Sequence, residues 1–126
     1  MRTSSTVLAA VFLAATTLLP GAASAAHAAG PPPLGACATG QLCFWANPDF
    51  KGAKQIFELT EITTNDCVSL PPGKNAQGLA NRTGRQVTTY QSAECAETGE
   101  FQTYSGDGTW LPQSPYQVRA FKVWER

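Results

Sequence analysis

Short runs of apolar and β-branched residues recur after residue 36, and each run is bounded by Gly, Pro, Asn or Asp. No segment there sustains the 3.6-residue period of an amphipathic helix, whereas short bounded runs are typical of strands. The pattern predicts eight strands, at 41–45, 54–59, 68–70, 78–81, 86–90, 99–104, 108–111 and 117–124. So many short strands between turn residues predict an all-β sandwich or barrel.

The N-terminal segment has the pattern of a secretory signal peptide. Arg2 precedes an apolar run over 7–19, and Pro20 follows that run. Small-x-small cleavage motifs end at Ala25 and at Ala28. The alternative is a membrane anchor, but a run of about thirteen residues is short for a bilayer core. We therefore predict a signal peptide over 1–28, cut after Ala25 or Ala28, and a secreted protein.

The rest of the chain divides into a leader and one domain. Gly30 and the three prolines after it predict a stiff, non-helical leader over 29–36. We assign 37–126 to a single domain, with a first motif at 37–83 and a second motif at 84–126.

Removal of the signal peptide limits the chemistry of the mature chain. His27 is the single His and would leave with the signal peptide. A domain without His has no Ser-His-Asp or Cys-His arrangement and no His-based catalytic zinc site. The 9 basic and 9 acidic residues exclude a strongly basic nucleic-acid binder. We therefore expect a monomeric protein that is not an enzyme, without cofactor, metal, nucleic-acid partner or membrane association after processing.

The four cysteines of an exported chain predict two disulfides. Such bonds would supplement the core, because a domain of this size buries only part of its surface. The residues themselves leave three pairings open among Cys37, Cys43, Cys67 and Cys95.

A strand followed by an aromatic turn occurs near the start of the domain, over 44–52. We expect this turn to fold over so that Phe44 and Phe50 stack, with Gly52 in a backbone conformation closed to other residues. In the second half Tyr90 and Gly99 occupy corresponding places, and Cys95 stands where an aromatic residue is expected.

Three segments together resemble a family of small exported actinomycete proteins. They are the Cys37 to Trp45 opening (CATGQLCFW), the NPDFKG turn that ends at Gly52, and LANRTGRQVTTY from Leu79 to Tyr90. The best-known members of that family inhibit thermolysin-like metalloproteinases. The resemblance covers nearly the whole domain.

The resemblance implies a fold, a pairing and a partner. The fold is similar to a βγ-crystallin domain, with two Greek-key motifs of four strands each. The implied disulfides are Cys37–Cys43 and Cys67–Cys95. The implied partner is an extracellular metalloproteinase, which would be blocked by a rigid, substrate-like loop and would supply its own zinc.

The reactive bond of the family follows a cysteine, as a Cys-Val pair in a short disulfide-closed loop of the second half. Two bonds here match in part. By position the match is Cys95-Ala96, and by residue identity it is Cys67-Val68. Neither has a second Cys a few residues further on, so the short covalent loop of the family is missing.

Two other functions remain as alternatives. A crystallin-like calcium site would use residues 74–78 and 113–117, although neither stretch supplies a carboxylate. A binder of cell-surface glycans would use exposed aromatic residues as a stacking platform. The candidates for that platform are Trp45, Trp110, Tyr116 and Trp124. Asn81-Arg82-Thr83 matches the glycosylation acceptor pattern.

Overall fold

The computed structural model describes residues 33–125, and this part of the chain forms eight strands. The strands are β1 Gln41–Asn47, β2 Lys51–Glu58, β3 Val68–Ser69, β4 Gly78–Asn81, β5 Val87–Tyr90, β6 Phe101–Tyr104, β7 Thr109–Leu111 and β8 Ala120–Val123. A short 3-10 helix at Leu59–Glu61 follows β2. Each strand overlaps a predicted one. The predicted signal peptide lies outside the described residues.

The strands form two four-stranded antiparallel sheets that exchange one strand each. Sheet one has the order β2-β1-β4-β7, and sheet two has the order β3-β8-β5-β6. The third strand of each half, β3 or β7, therefore lies in the sheet built by the other half. Within each half the first strand pairs with both the second and the fourth. The predicted all-β class is confirmed, whereas the likeness to a βγ-crystallin domain stays a prediction.

The core contains inward-pointing residues of both sheets. Leu42 and Phe44 of β1 are fully buried in one cluster with Phe121 and Val123 of β8. The ring centroid of Phe121 lies 5.4 Å from that of Phe44 and 4.9 Å from that of Phe57. Burial of each such side chain contributes about 1.5–3 kcal/mol to folding. Because successive strand residues point to opposite faces, this inward set also determines which residues reach the outer faces.

The expected stacking of Phe44 on Phe50 is wrong. Phe44 points into the core, and its neighbour Trp45 points to the outer face of sheet one, where its ring centroid lies 5.1 Å from that of Phe50. The prediction paired the wrong residue because strand alternation assigns adjacent positions to opposite faces. The expected backbone conformation of Gly52 is confirmed, with φ of +83°.

Both disulfides expected from the family resemblance are present. Cys37 pairs with Cys43 across the start of β1, and Cys67 pairs with Cys95 across the two halves of the chain. The Cα atoms lie 6.0 Å apart in the first pair and 5.9 Å apart in the second. No cysteine within the described residues is left as a free thiol.

The end of the predicted leader lies against sheet one. Trp110 Nε1 donates to the carbonyl of Gly35 at 2.9 Å, and Lys54 Nζ donates to the carbonyl of Ala36. A Cβ at Gly35 would lie 2.5 Å from the ring of Trp45, so this close approach requires glycine. Residues 29–32 of the leader lie outside the described part. No helix within the described part is long and apolar enough to cross a membrane.

Asn81 joins the two halves through a buried hydrogen-bond network. Its Nδ2 donates to the carbonyls of Arg85 at 2.8 Å and Ser105 at 3.0 Å. Its Oδ1 accepts from the backbone N–H of Thr83 at 3.1 Å and from the hydroxyl of Thr83 at 2.7 Å. The side chain is completely buried. The amide that the acceptor pattern offers for glycosylation is therefore inaccessible in the folded domain.

We expect the two disulfides to stabilise the fold unequally. Cys67–Cys95 spans 28 positions and Cys37–Cys43 spans 6, so the chain-entropy estimate gives about 3.5 and about 2.4 kcal/mol respectively. In urea unfolding, the Cys67→Ala/Cys95→Ala variant should therefore lose more free energy of unfolding than the Cys37→Ala/Cys43→Ala variant. The opposite order would show that packing, and not chain entropy, dominates the two contributions.

We expect Asn81→Asp to destabilise the domain by about 2–4 kcal/mol at neutral pH. The carboxylate has no N–H to donate and would bury a negative charge among carbonyl oxygens. The loss should shrink at acidic pH, where the carboxyl group is neutral. Asn75→Asp, at a half-buried loop position, serves as the control and should change the unfolding free energy by less than about 0.5 kcal/mol. Equal losses in the two variants would contradict the role given to the Asn81 network.

Candidate functional site

The segment between β5 and β6, which we call the disulfide loop, covers residues 91–100. It contains Cys95 and Ala96, and the Cys67–Cys95 bond attaches it to the residue immediately before β3. Both candidate bonds, Cys95-Ala96 and Cys67-Val68, therefore lie beside the same disulfide. The structure brings together residues that are 28 positions apart in the sequence.

Hydrogen bonds hold the ends of the disulfide loop. The N–H of Gln91 donates to the carbonyl of Glu100 at 2.9 Å, which closes the base of the loop. Ser69 Oγ donates to the carbonyl of Ala93 at 2.5 Å, and Arg119 Nη1 donates to the carbonyl of Gln91 at 3.2 Å. These bonds come from β3 and from the segment before β8, so the loop is fixed by the frame of sheet two.

The interior of the disulfide loop is also organised. The N–H of Cys95 donates to the carbonyl of Ser92 at 3.2 Å, and the N–H of Glu94 donates to the hydroxyl of Ser92 at 3.0 Å. Cys95 has a φ of +58°, in the left-handed region that few residues other than Gly and Asn adopt. The loop therefore has a defined shape before any partner arrives.

Exposure within the loop is uneven. Glu94, Glu97 and Thr98 are exposed, whereas Ala96 is half-buried. Cys95 is only 8% exposed and belongs to a small buried cluster with Tyr90 and Ala120. The side chains that a partner would meet first are consequently not those of the Cys95-Ala96 bond.

Val68 has a different environment from Ala96. It pairs with Phe121 in the antiparallel ladder of β3 and β8, and its side chain packs against the core cluster. Cys67, directly before it, is exposed. The side chain that follows the Cys67-Val68 bond, that of Val68, therefore packs against the core and is not free to enter a protease cleft.

A cleft of about 480 Å³ lies on the outer face of sheet two beside the disulfide loop. Its lining includes Glu97 from the loop, Glu125 near the C-terminus, and the rings of Phe101 and Trp124. Burial and, to a smaller degree, the charge of Glu97 raise the pKa of Tyr90, which lies at the same cleft. Phe101 is 45% exposed and is the large apolar side chain that this face presents to solvent.

The supporting residues Ser69 and Arg119 are not identifiable as site residues from the sequence. Their bonds to the loop join positions 24 and 28 residues apart, and nothing in the local pattern indicates such contacts. The sequence predicted only that Ser69 and Arg119 lie in strands, at 68–70 and 117–124. The pairing of β3 with β8 is what brings them to the loop.

The stretches considered for calcium lie at a polar cleft of about 350 Å³. Asn75, Gln77 and Gln117 line it together with Asn47 and Gln55, so carboxamides supply most of its polar groups. No group of three His, Cys, Asp or Glu side chains suited to a metal ion occurs within residues 33–125. No carboxylate, the ligand that calcium prefers, occurs among the described residues that line this cleft.

The four aromatic residues considered for glycan binding do not form one platform. Trp45 is buried on sheet one beside Phe50 and Trp110, whereas Trp124 lies on the outer face of sheet two. Trp124 Nε1 donates to the hydroxyl of Thr88 at 2.8 Å. The structure places these rings on different faces, with most of their surface used in packing.

Comparison with known proteins identifies the family of this chain. A family model described as peptidase inhibitor family I36 matches residues 30–104, a stretch that contains all four cysteines and strands β1 to β6. No curated protein and no solved structure matches the chain. The match confirms the resemblance found in the sequence and implies that the partner is a protease. The chain therefore belongs to peptidase inhibitor family I36, as a protein of inhibitor type and not an enzyme.

Proposed function

We propose that this protein is a secreted inhibitor of extracellular, thermolysin-like metalloproteinases and that it binds them through the disulfide loop. The observation that carries the proposal is the Cys67–Cys95 bond, which ties the middle of an exposed loop to the edge of sheet two. Membership of peptidase inhibitor family I36 supports a role as a protease inhibitor. The choice of metalloproteinases rests on the resemblance of the cysteine and aromatic segments.

A loop fixed in advance binds at low entropic cost. Ordering a flexible chain costs about 1–2 kcal/mol for each residue, and this loop is already ordered by its disulfide and its hydrogen bonds. Less of the interaction energy is then lost on association. The zinc of the target would polarise a bound carbonyl, so the inhibitor needs no metal of its own.

Of the two candidate bonds, the position of Cys95-Ala96 favours contact with a protease. It lies in the exposed loop, whereas Val68 is paired with Phe121 and packed on the core. A protease would have to pull Val68 out of the core to use it as a substrate side chain. We therefore place the exposed Glu97 and Thr98 at the centre of the contact, with the half-buried Ala96 beside them and with Cys67 and Cys95 as the anchor.

The conformation of Cys95 supports one mode of docking over another. Peptides that bind as an added strand are extended, but the φ of Cys95 is +58°. The loop would therefore block the protease cleft as a pre-formed wedge, and not present Cys95-Ala96 as an extended substrate strand.

Secretion and monomeric state form part of the same proposal. Two disulfides persist in oxidising compartments, which agrees with the predicted signal peptide at 1–28. A small, cross-linked domain with a charged loop is suited to act alone outside the cell.

The direct test is inhibition of a thermolysin-like enzyme by the mature domain at micromolar concentration. The Glu97→Ala/Thr98→Ala variant should weaken inhibition roughly tenfold, because it removes the exposed tip of the loop. Asp107→Ala, in the exposed turn between β6 and β7, is the matched control and should inhibit like the unmodified domain. Val68→Ala should lower thermal stability and leave the inhibition constant of the folded protein unchanged.

Two results would count against this proposal. Absence of inhibition by the unmodified domain would exclude this class of target. If folded Val68→Ala lost inhibition while Glu97→Ala/Thr98→Ala inhibited fully, the protease would contact the Cys67-Val68 bond and not the tip of the disulfide loop.

The wedge mode makes a separate prediction about cleavage. After long incubation with the inhibited protease, peptide mass analysis under reducing conditions should find the Cys95-Ala96 bond intact. The left-handed conformation of Cys95 keeps this bond out of the extended geometry that cleavage requires. Fragments ending at Cys95 would show that the loop is instead presented as a substrate.

A further inference from the structure

A second cleft, of about 290 Å³, borders the disulfide loop on the side of the turn that follows β3. The turn comprises residues 71–75 and is called here the proline turn. Ala93 of the disulfide loop lines the cleft together with Pro71, Lys74 and Arg119. The disulfide loop and the proline turn are thus the two walls of one depression.

The proline turn is rigid for reasons visible in its backbone. Pro71 and Pro72 fix their own φ angles, and Gly73 takes a φ of +79°. The N–H of Lys74 donates to the carbonyl of Pro71 at 2.9 Å and closes the turn. On its N-terminal side, the N–H of Leu70 donates to the carbonyl of Arg119 at 2.8 Å.

The charged residues that line this cleft all have one sign. Lys74 and Arg119 line it, and no Asp or Glu contributes to its described lining. Arg119 uses Nη1 to hold the carbonyl of Gln91, and the rest of its guanidinium group carries further donors. The cleft on the other side of the disulfide loop is lined by the carboxylates of Glu97 and Glu125. The disulfide loop therefore separates a cationic depression from an acidic one.

We propose that the cleft between the proline turn and the disulfide loop receives an Asp or Glu side chain from the rim of the inhibited protease, held by Lys74 and Arg119. This inference rests on the proposed function, because it places a second contact beside the same loop. Leu70, Pro71 and Ala93 supply apolar surface on one side of the cleft, where the attraction between charges is screened less than in bulk water. Arginine is suited to the task because its planar group binds a carboxylate through two parallel hydrogen bonds.

The pocket is tested first by charge variants in the inhibition assay. Lys74→Gln should raise the inhibition constant roughly three- to fivefold at low salt, and the difference should diminish at high salt. Lys51→Gln is the matched control, because Lys51 is an exposed lysine on β2 that lines neither cleft beside the loop. Equal inhibition by Lys74→Gln and the unmodified domain at low salt would overturn the inference, as would an equal effect of Lys51→Gln.

A second measurement does not require a protease. Sodium acetate, added to the free domain at constant ionic strength with chloride as the reference salt, should shift the NMR signals of Arg119 Nε–H and of the Lys74 amide. The same titration of Lys74→Gln should give smaller shifts, whereas Lys51→Gln should behave as the unmodified domain. Absence of a specific acetate shift would overturn the pocket even if inhibition is observed. A specific shift without inhibition would support the pocket and reject the proposed function.

Discussion

The covalent bond between Cys67 and Cys95 is the constraint on which the candidate site depends. It connects the residue before β3, a strand of only two residues at the edge of sheet two, to the middle of the loop between β5 and β6. Without this bond, β3 would be held only by non-covalent contacts: its short ladder with β8, the packing of Val68 on the core, and the hydrogen bond from Ser69 to Ala93. With it, an edge strand from the first half and a loop from the second half become one rigid surface.

The exchange of third strands explains why this surface contains residues from distant parts of the chain. Because β3 crosses to sheet two, the proline turn that follows it comes to lie beside the disulfide loop. Arg119, before β8, donates to the carbonyl of Gln91 in the disulfide loop, and its own carbonyl accepts from the N–H of Leu70, the residue before the proline turn. The strand exchange therefore brings together a cross-linked loop, a stiff turn and two positive charges at one end of sheet two.

The sequence predicted the strands well because each is a short apolar run between turn-forming residues, a local signal that needs no knowledge of the partners. The disulfide pairing could not follow from the residues alone, since four cysteines allow three arrangements, and it was inferred from the family resemblance. The roles of Ser69 and Arg119 depend on the pairing of β3 with β8, which no local pattern encodes. The aromatic turn was misassigned because the prediction paired Phe44 and not Trp45 with Phe50, although alternation turns Phe44 into the core.

Hydrogen exchange of the domain, alone and bound to a thermolysin-like protease, tests the central claim most directly. We expect slowed exchange on binding to be concentrated in the disulfide loop at 91–100 and at the amides of Gly73, Lys74 and Asn75 in the proline turn, since Pro71 and Pro72 have no N–H. The turn between β6 and β7 should exchange at the same rate in both states. Slowed exchange confined to the aromatic turn at 47–52, with the disulfide loop unaffected, would contradict the account.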